Sequence, residues 1–267
     1  MKRSAHQSGG LRLSVAETGT GAPFIFQHGL CGDASQPAQV FPLDTAFRCV
    51  TVECRGHGLS ETGSKNALSI ETFADDITGY IERSNMVRPV LGGISMGAAI
   101  SIRIAVRSPG LIKALVIARP AWLADPAPDN MRPNALAGDL LGRMQPTEAR
   151  LAFEDSEIAA CLEVHGPDNL NSIRGFFSRQ PIDVTAALLS GISADGPGVS
   201  EDEIQRISVP TLVIGHERDA VHPISHARTL AAWIPDARFV EITPKAESPA
   251  AYRADFQAAL ATFLNEV

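Results

Sequence analysis

The chain has 267 residues, of which 45% are hydrophobic and 20% are charged, a composition typical of a globular protein with a large core. At roughly 150 residues per domain, with α/β folds often reaching about 250 residues as one unit, this length favours one large domain. The net charge of −7 repels phosphate backbones and anionic lipid surfaces, which argues against nucleic acid and membranes as partners.

The start of the chain and its cysteines indicate the cellular compartment. No apolar run of signal-peptide length follows the charged start MKRSAHQSGG, and no stretch reaches the roughly 20 apolar residues of a transmembrane helix. The four cysteines contain no C-x-x-C pair, and so few in a chain of this length do not indicate a disulfide framework. We therefore expect a cytoplasmic protein, and no pattern in the sequence predicts a cofactor, a metal site or an oligomeric state.

Short apolar runs rich in β-branched residues alternate with helical periods along most of the chain. The predicted strands are Leu11–Ala16, Phe24–Gln27, Cys49–Glu53, Val90–Ile94, Ala114–Ala118, Thr211–Ile214 and Arg238–Ile242. Most of these runs are continuously apolar, which is typical of parallel strands covered on both faces. Predicted helices begin behind the N-cap Ser69, at Gly97 and at about Ala250. The alternation predicts an α/β protein with a mostly parallel, doubly wound sheet.

The alternation stops between Trp122 and Arg206, where prolines and several short helical patterns replace the strands. We predict that residues 122–206 form a helical cap, inserted between two parts of the core at 1–121 and 207–267. Because ligands of open α/β sheets bind at the carboxyl ends of the strands, this cap is expected to cover the functional site.

The segment Gly93-Ile94-Ser95-Met96-Gly97 follows a predicted strand and opens a predicted helix. In that setting a G-x-S-x-G motif forms a sharp turn with a strained central residue, and the glycines leave room for neighbouring backbone. The motif therefore predicts that Ser95 projects above the sheet as a nucleophile. The alternative interpretation is an ordinary glycine-rich turn between a strand and a helix.

The segment Gln27-His28-Gly29-Leu30 ends an earlier predicted strand, and its glycine allows the chain to bend toward the serine. We expect the N–H groups of Leu30 and Met96 to form an oxyanion hole, which stabilises the negative charge that develops during acyl transfer. His28 is a candidate base, but we interpret its ring as a brace for the loop.

Over nearly its full length the chain resembles α/β-hydrolases of the small-cap, esterase and carbon–carbon hydrolase kind. The landmarks are, in order, Phe26-Gln27-His28-Gly29, Arg55-Gly56-His57-Gly58-Leu59-Ser60, Gly93 to Gly97, and Gly215 followed by Asp219 and Pro223. The resemblance implies that Ser95 is the nucleophile and that Asp219 is the acid that orients a histidine. It also implies that His57 has a structural role.

The chain departs from the family pattern at the histidine, which the family keeps in the loop after the last strand. Here that loop reads Thr243-Pro244-Lys245-Ala246-Glu247-Ser248-Pro249. Counting forward from the strand puts Glu247 at the histidine position, and counting back from the final helix puts Ala246 there. The earlier pair His222 and His226 suggests a metal site, but it lacks the glutamate of a zinc-protease helix, and we interpret it as an exposed helix start.

Three hypotheses for the base follow from this departure. Glu247 serves as the base, with a pKa raised by burial or by Asp219, with which it shares a proton. Alternatively Lys245 approaches Ser95 as in Ser-Lys enzymes. In the third hypothesis the site is hydrolytically weak or silent.

The function expected from these motifs is hydrolysis of a small carboxylic ester, lactone or related carbonyl compound without a cofactor. The only expected partner is therefore a small-molecule substrate. The alternatives are a ligand-binding pseudoenzyme and a cofactor-free lyase or isomerase, in which Glu247 or Asp219 is the proton base.

Overall fold

A computed structural model describes residues 1–267 and contains one eight-stranded sheet. The strands are β1 (Lys2–Ser8), β2 (Leu11–Gly19), β3 (Ala22–Gln27), β4 (Phe47–Val52), β5 (Val90–Ile94), β6 (Ala114–Ala118), β7 (Thr211–Gly215) and β8 (Ala237–Glu241). Their order in the sheet is β1-β2-β4-β3-β5-β6-β7-β8. Only the β1–β2 and β2–β4 pairs are antiparallel, so the predicted fold class is confirmed.

Strand β1 is the one strand that the sequence pattern does not predict. Its residues are mostly polar and exposed, with only His6 and Ser8 buried, so it lacks the apolar run of the other strands. A two-residue loop joins it to β2, and both loop residues, Gly9 and Gly10, have positive φ angles of 56° and 80°. Such a glycine pair is a hairpin signal, and it is the feature of the sequence from which β1 could have been found.

The helices flank the sheet and fill the connection between β6 and β7. They are α1 (Ser35–Val40), α2 (Ile70–Arg83), α3 (Met96–Arg107), α4 (Arg132–Arg143), α5 (Pro146–Glu154), α6 (Glu157–His165), α7 (Pro167–Phe176), α8 (Ile182–Ala194), α9 (Glu201–Ile204), α10 (Ile224–Trp233) and α11 (Pro249–Leu264). As predicted, Ser69 caps α2 by accepting a hydrogen bond from the Thr72 N–H. None of these helices combines the length and the apolar character needed to cross a bilayer.

Two apolar clusters cover the two faces of the sheet. One contains α2, α3 and α10 together with side chains of the 122–206 segment, and the other contains side chains of α1 and α11. Adjacent residues of β3 point into different clusters, with Ile25 on one face and Phe24 and Phe26 on the other. This burial on both faces explains why the parallel strands read as continuous apolar runs.

The segment between β6 and β7 forms α4 to α9 and adds no strand to the sheet. Its Arg179 donates hydrogen bonds to the carbonyl oxygens of Cys31, at 3.2 Å, and of Gly56, at 2.6 Å. Cys31 and Gly56 follow the carboxyl ends of β3 and β4, so this arginine ties the helical segment to that edge of the sheet. Its boundaries at 122 and 206 remain a prediction.

Candidate active site

Ser95 lies at the turn between β5 and α3 with a φ of 58°, a left-handed conformation that is strained for a residue with a side chain. Its N–H donates to the carbonyl oxygen of Ala118 at 3.0 Å, which anchors the turn to β6. A Cβ atom at Gly93 would lie 2.2 Å from the Gly97 carbonyl, and one at Gly97 would lie 2.6 Å from the Gln27 carbonyl oxygen. Backbone approaches on both sides of the serine therefore require the two glycines.

The hydroxyl of Ser95 meets a histidine that the sequence reasoning did not select. His222 Nε2 lies 2.8 Å from Ser95 Oγ, and His222 Nδ1 lies 2.8 Å from Asp219 Oδ1. An ionised carboxylate can only accept hydrogen bonds, so the Nδ1 proton points at Asp219 and the Nε2 lone pair faces the serine hydroxyl. The three side chains have the geometry of a nucleophile, a base and an orienting acid.

The acid and the histidine lie in one loop, between β7 and α10. The backbone N–H of His222 also donates to Asp219 Oδ1, at 3.2 Å, so the Asp219 side chain stabilises the turn between residues 219 and 222. The following residue, Pro223, is the N-cap of α10 and ends the loop. The sequence signal for this arrangement is a histidine three residues after the acid and just before the helix. The interpretation of His222 as part of an exposed helix start is wrong, because its side chain is only 10% exposed.

Asp219 accepts hydrogen bonds from three side chains. Besides His222, Arg119 Nε donates to Oδ2 at 2.8 Å, and Asn169 Nδ2 donates to Oδ1 at 2.8 Å. Burial acts to raise the pKa of Asp219, but the charge of Arg119 and the hydrogen bond from His222 outweigh it, and the pKa lies well below its usual range. Asp219 is therefore ionised at neutral pH.

Arg119 is the buried cation of the site, and no motif in the sequence predicts it. It follows β6 directly, and its guanidinium also lies 3.6 Å from Asp168 and 3.4 Å from the Tyr252 hydroxyl. Burial acts to lower the pKa of Arg119, but the charge of Asp219 outweighs it and holds the pKa above its usual range. The only sequence signal is a cation between an apolar strand and Pro120.

Glu247 does not occupy the place of the base. Its carboxylate is about half exposed and faces the exposed Arg218 at 3.9 Å, because the turn from Pro244 to Ser248 keeps residue 247 at the surface. The expected carboxylate pair that shares a proton is therefore wrong: Asp219 is paired with a cation, and its pKa is lowered instead of raised.

Lys245, the other candidate in the same loop, lines the cavity in front of Ser95. Its Nζ lies 2.8 Å from Asp168 Oδ1, so the amine is engaged in an ion pair with the helical segment. Of Glu247, Lys245 and His222, only His222 makes a hydrogen bond with the Ser95 hydroxyl.

The loop after β3 is braced by two buried histidines. His28 Nδ1 donates to the Gly29 carbonyl oxygen at 2.8 Å, and its Nε2 accepts the Cys54 N–H at 3.1 Å. His57 Nε2 accepts the Cys31 N–H at 3.0 Å. Burial lowers the pKa of both rings, so each stays neutral and acts as an acceptor for the backbone. Both nitrogens of His28 are therefore used for structure.

Leu30 and Met96, the expected oxyanion-hole residues, lie on the two segments that flank the serine. A Cβ atom at Gly29 would lie 3.3 Å from the Ser95 Cβ, so the β3 loop passes directly beside Ser95. Met96 is the first residue of α3, where a helix leaves its N–H groups without partners inside the helix. Neither the Leu30 nor the Met96 N–H has a backbone acceptor.

A cavity of about 100 Å³ opens onto Ser95 and His222. Its wall combines the β3 loop, Arg119 and Lys245 from the core with Asn134, Asp168 and Asn169 from the helical segment. No group of three His, Cys, Asp or Glu side chains in the protein is arranged to hold a metal ion. The arrangement that faces this cavity is a serine hydroxyl within hydrogen-bond distance of an imidazole.

Known proteins share both the sequence pattern and the fold. Residues 22–248 match the family described as the alpha/beta hydrolase fold. The chain is 28% identical over 240 residues to the AB hydrolase superfamily protein YisY of Bacillus subtilis, covering 85% of each. It is 29% identical over 179 residues to the 2-(acetamidomethylene)succinate hydrolase of Mesorhizobium japonicum, covering 66% of this chain and 61% of the relative.

Among solved structures, the enol-lactonase from Burkholderia xenovorans LB400 has the same fold, with a TM-score of 0.73 and 23% identity. The match covers 98% of this chain and 100% of that one. The family match spans most of the chain, and its sequence relatives include hydrolases. The chain therefore belongs to the α/β-hydrolase family.

Proposed function

We propose that this protein is a serine hydrolase of small carboxylic esters or lactones, with Ser95 as nucleophile, His222 as base and Asp219 as the acid that orients the base. The observation that carries the proposal is the 2.8 Å separation between Ser95 Oγ and His222 Nε2. A serine hydroxyl is a poor nucleophile without an adjacent base, and this contact supplies one.

The geometry supports a two-step acyl transfer. Ser95 Oγ attacks the substrate carbonyl carbon while His222 Nε2 accepts the hydroxyl proton, and the N–H groups of Leu30 and Met96 donate to the resulting oxyanion. When the carbon–oxygen bond breaks, His222 returns the proton to the leaving alcohol oxygen. A water molecule, deprotonated by His222, then attacks the acyl-enzyme, and the proton passes to Ser95 Oγ as the carboxylic acid leaves.

Arg119 and Asn169 support this cycle by positioning Asp219. The carboxylate stabilises the imidazolium that forms in each step only while it is ionised and correctly oriented. Arg119 keeps it ionised, and Asn169 binds the same oxygen, Oδ1, that faces His222. We further propose that the partner is a small molecule, not nucleic acid or a membrane, in keeping with the negative net charge, and that the protein works in the cytoplasm.

A fluorophosphonate probe and an ester assay test the proposal together. The wild-type protein should be labelled once, at Ser95, and should hydrolyse p-nitrophenyl acetate with a burst of p-nitrophenol equal to the enzyme concentration. The Ser95→Ala variant should lose both. Glu247→Gln, an exposed substitution in the neighbouring loop, serves as the matched control and should keep both. Saturable binding of the ester without turnover or labelling would instead support a ligand-binding protein.

A further inference from the structure

The peptide that joins Asp219 to His222 is held by two asparagine side chains of the helical segment. Its last residue is Val221, which is only 4% exposed. The Val221 N–H donates to Asn169 Oδ1 at 3.2 Å, and the Val221 carbonyl oxygen accepts from Asn130 Nδ2 at 2.7 Å. Neither group has a backbone partner. Both hydrogen bonds of the Val221 backbone therefore come from outside the loop and outside the sheet.

Each asparagine makes a further contact that fixes its amide. Asn169 lies in the first turn of α7, is only 3% exposed and donates through Nδ2 to Asp219 Oδ1 at 2.8 Å. Asn130 lies in a short 3-10 turn before α4, Asp129–Met131, and its Nδ2 also donates to the Ala121 carbonyl oxygen at 2.8 Å. Asn130 thereby connects the chain just after β6 to the loop after β7.

The start of α7 also packs directly against this loop. A Cβ atom at Gly166 would lie 3.1 Å from both the N and the Cβ atoms of Ala220, and 2.4 Å from Asn169 Oδ1. A side chain at position 166 would therefore push α7 away from the loop. The glycine allows the close approach that brings Asn169 within hydrogen-bond distance of Val221.

These contacts bear on the base because His222 is the next residue. The contact between Asp219 and His222 is made inside the loop, whereas the distance from His222 Nε2 to Ser95 Oγ depends on where the loop lies above the sheet. Misplacing a catalytic group by about 1 Å costs roughly 100-fold in rate. The side chains that fix the Val221 peptide therefore fix the direction in which the imidazole points.

We infer that Asn130 and Asn169 are positioning residues that direct His222 toward Ser95, so that the helical segment positions the catalytic base. This inference rests on the proposed function and goes beyond it, since that function uses only the contact between Asn169 and Asp219. Asn130 is the more informative of the two residues. It makes no hydrogen bond with the three catalytic side chains and does not line the cavity, so its effect passes through the Val221 peptide.

The burst of p-nitrophenol from p-nitrophenyl acetate separates positioning from a loss of folded protein. Its rate constant reports the attack by Ser95, whereas its amplitude counts the molecules with a competent site. We expect Asn130→Ala and Asn169→Ala to lower the rate constant by 10-fold or more and to change the half-saturating ester concentration by less than 3-fold. The control is Asn171→Ala on α7, where the exposed amide contacts only Arg174, and it should keep the wild-type rate constant. A fall in amplitude alone, or a change below 3-fold in the rate constant of both variants, would overturn the inference.

A second comparison asks whether Asn130 acts through the imidazole. In the His222→Gln background, Asn130→Ala should change the residual rate of ester hydrolysis by less than 2-fold, because the group that it positions is absent. A further 10-fold loss in that background would assign Asn130 a different role and contradict the inference.

A third readout does not need turnover. In protein labelled with nitrogen-15 histidine, the His222 signals are identified by their loss in His222→Gln. Ser95→Ala removes the hydroxyl that faces the ring, so it should shift the Nε2 resonance of His222, and the shift should be less than half as large in the Asn130→Ala background. Equal shifts in both backgrounds would mean that the ring keeps its direction without Asn130.

A protein that neither labels at Ser95 nor hydrolyses any ester fails the proposed function. The resonance of His222 still gives a separate answer for Asn130 in that case. The two failures are therefore distinguishable.

Discussion

Two neighbouring loops, residues 216–223 after β7 and 242–248 after β8, differ in what they bring to the serine. The first buries His216, Asp219 and Val221 and places both Asp219 and His222 in the site. The second places only Lys245 at the cavity and turns Glu247 to the surface. The family pattern to which the chain was compared divides the acid and the histidine between these two loops, whereas here one loop holds both.

The difference teaches that the position of the base is defined in space and not along the chain. Both loops leave the carboxyl ends of adjacent parallel strands, so both start at the same edge of the sheet as the serine turn. An imidazole nitrogen 2.8 Å from Ser95 Oγ satisfies the geometry of general-base catalysis regardless of which loop supplies it. Counting along the sequence therefore shows that the loop after β8 lacks a histidine, but it does not show that His222 after β7 lies next to the serine.

The largest expected effect comes from removing the imidazole of the β7 loop. His222→Gln keeps a side chain that can hydrogen-bond but cannot act as a base, and we expect kcat/KM for p-nitrophenyl acetate to fall by roughly 10⁴-fold or more. The circular dichroism spectrum should not change. The matched control is Lys245→Gln in the β8 loop; a comparable loss there, with His222→Gln still active, would reverse the comparison between the loops.

The second expected effect concerns the cation that supports the β7 loop. Arg119→Met leaves Asp219 as a buried charge without its main counter-ion, and removing one partner of a buried pair typically costs about 3–5 kcal/mol. Urea denaturation should show this loss in the free energy of unfolding. Arg218→Met removes an exposed cation from the same loop and should cost less than about 1 kcal/mol. Equal costs would mean that Arg119 does not support the acid.

A smaller effect is expected in the pH dependence of stability. Burial and the charge of Arg119 lower the pKa of His216 in the β7 loop, so as the pH falls the unfolded chain binds this proton before the folded protein does. Stability should therefore decrease as the pH drops below about 6.5, the usual value for histidine. His216→Phe should make the decrease in Tm between pH 7.5 and pH 5 shallower. Glu247→Gln serves as the β8-loop control, and an identical slope in all three proteins would contradict the prediction.

The smallest expected effect comes from restoring the family's histidine position. Because residue 247 lies at the surface beside Arg218, Glu247→His with Ala246→Gly should change kcat/KM by less than about 3-fold. The same pair of substitutions should not rescue His222→Gln. A rescue of 10-fold or more would show that the β8 loop can reach Ser95. Either loop could then place a histidine beside the serine.

The sequence was sufficient for the parts of the site that depend on local structure. The strand-turn-helix setting predicts the strained serine turn, and the position of Asp219 in the loop after an apolar strand places it at the correct edge of the sheet. The roles of Arg119 and His222 depend on distances between side chains from different elements. A three-residue spacing between Asp219 and His222 shows that they share a loop, but not that the ring turns toward residue 95, 127 positions away. Strand β1 is not predicted from the sequence because its residues are mostly polar and exposed, so it lacks the apolar run by which the other strands are recognised.

The contiguity of Asp219 and His222 has a consequence for inheritance and for design. The four-residue stretch Asp219-Ala220-Val221-His222 encodes an acid and an imidazole already oriented toward each other. In a chain that divides these groups between two loops, every insertion or recombination must preserve the position of one loop relative to the other. Here one short peptide holds both groups, so changes in the loop after β8 do not separate the acid from the imidazole. For an engineer, grafting one loop onto a related scaffold with a nucleophile turn transfers the dyad in a single operation.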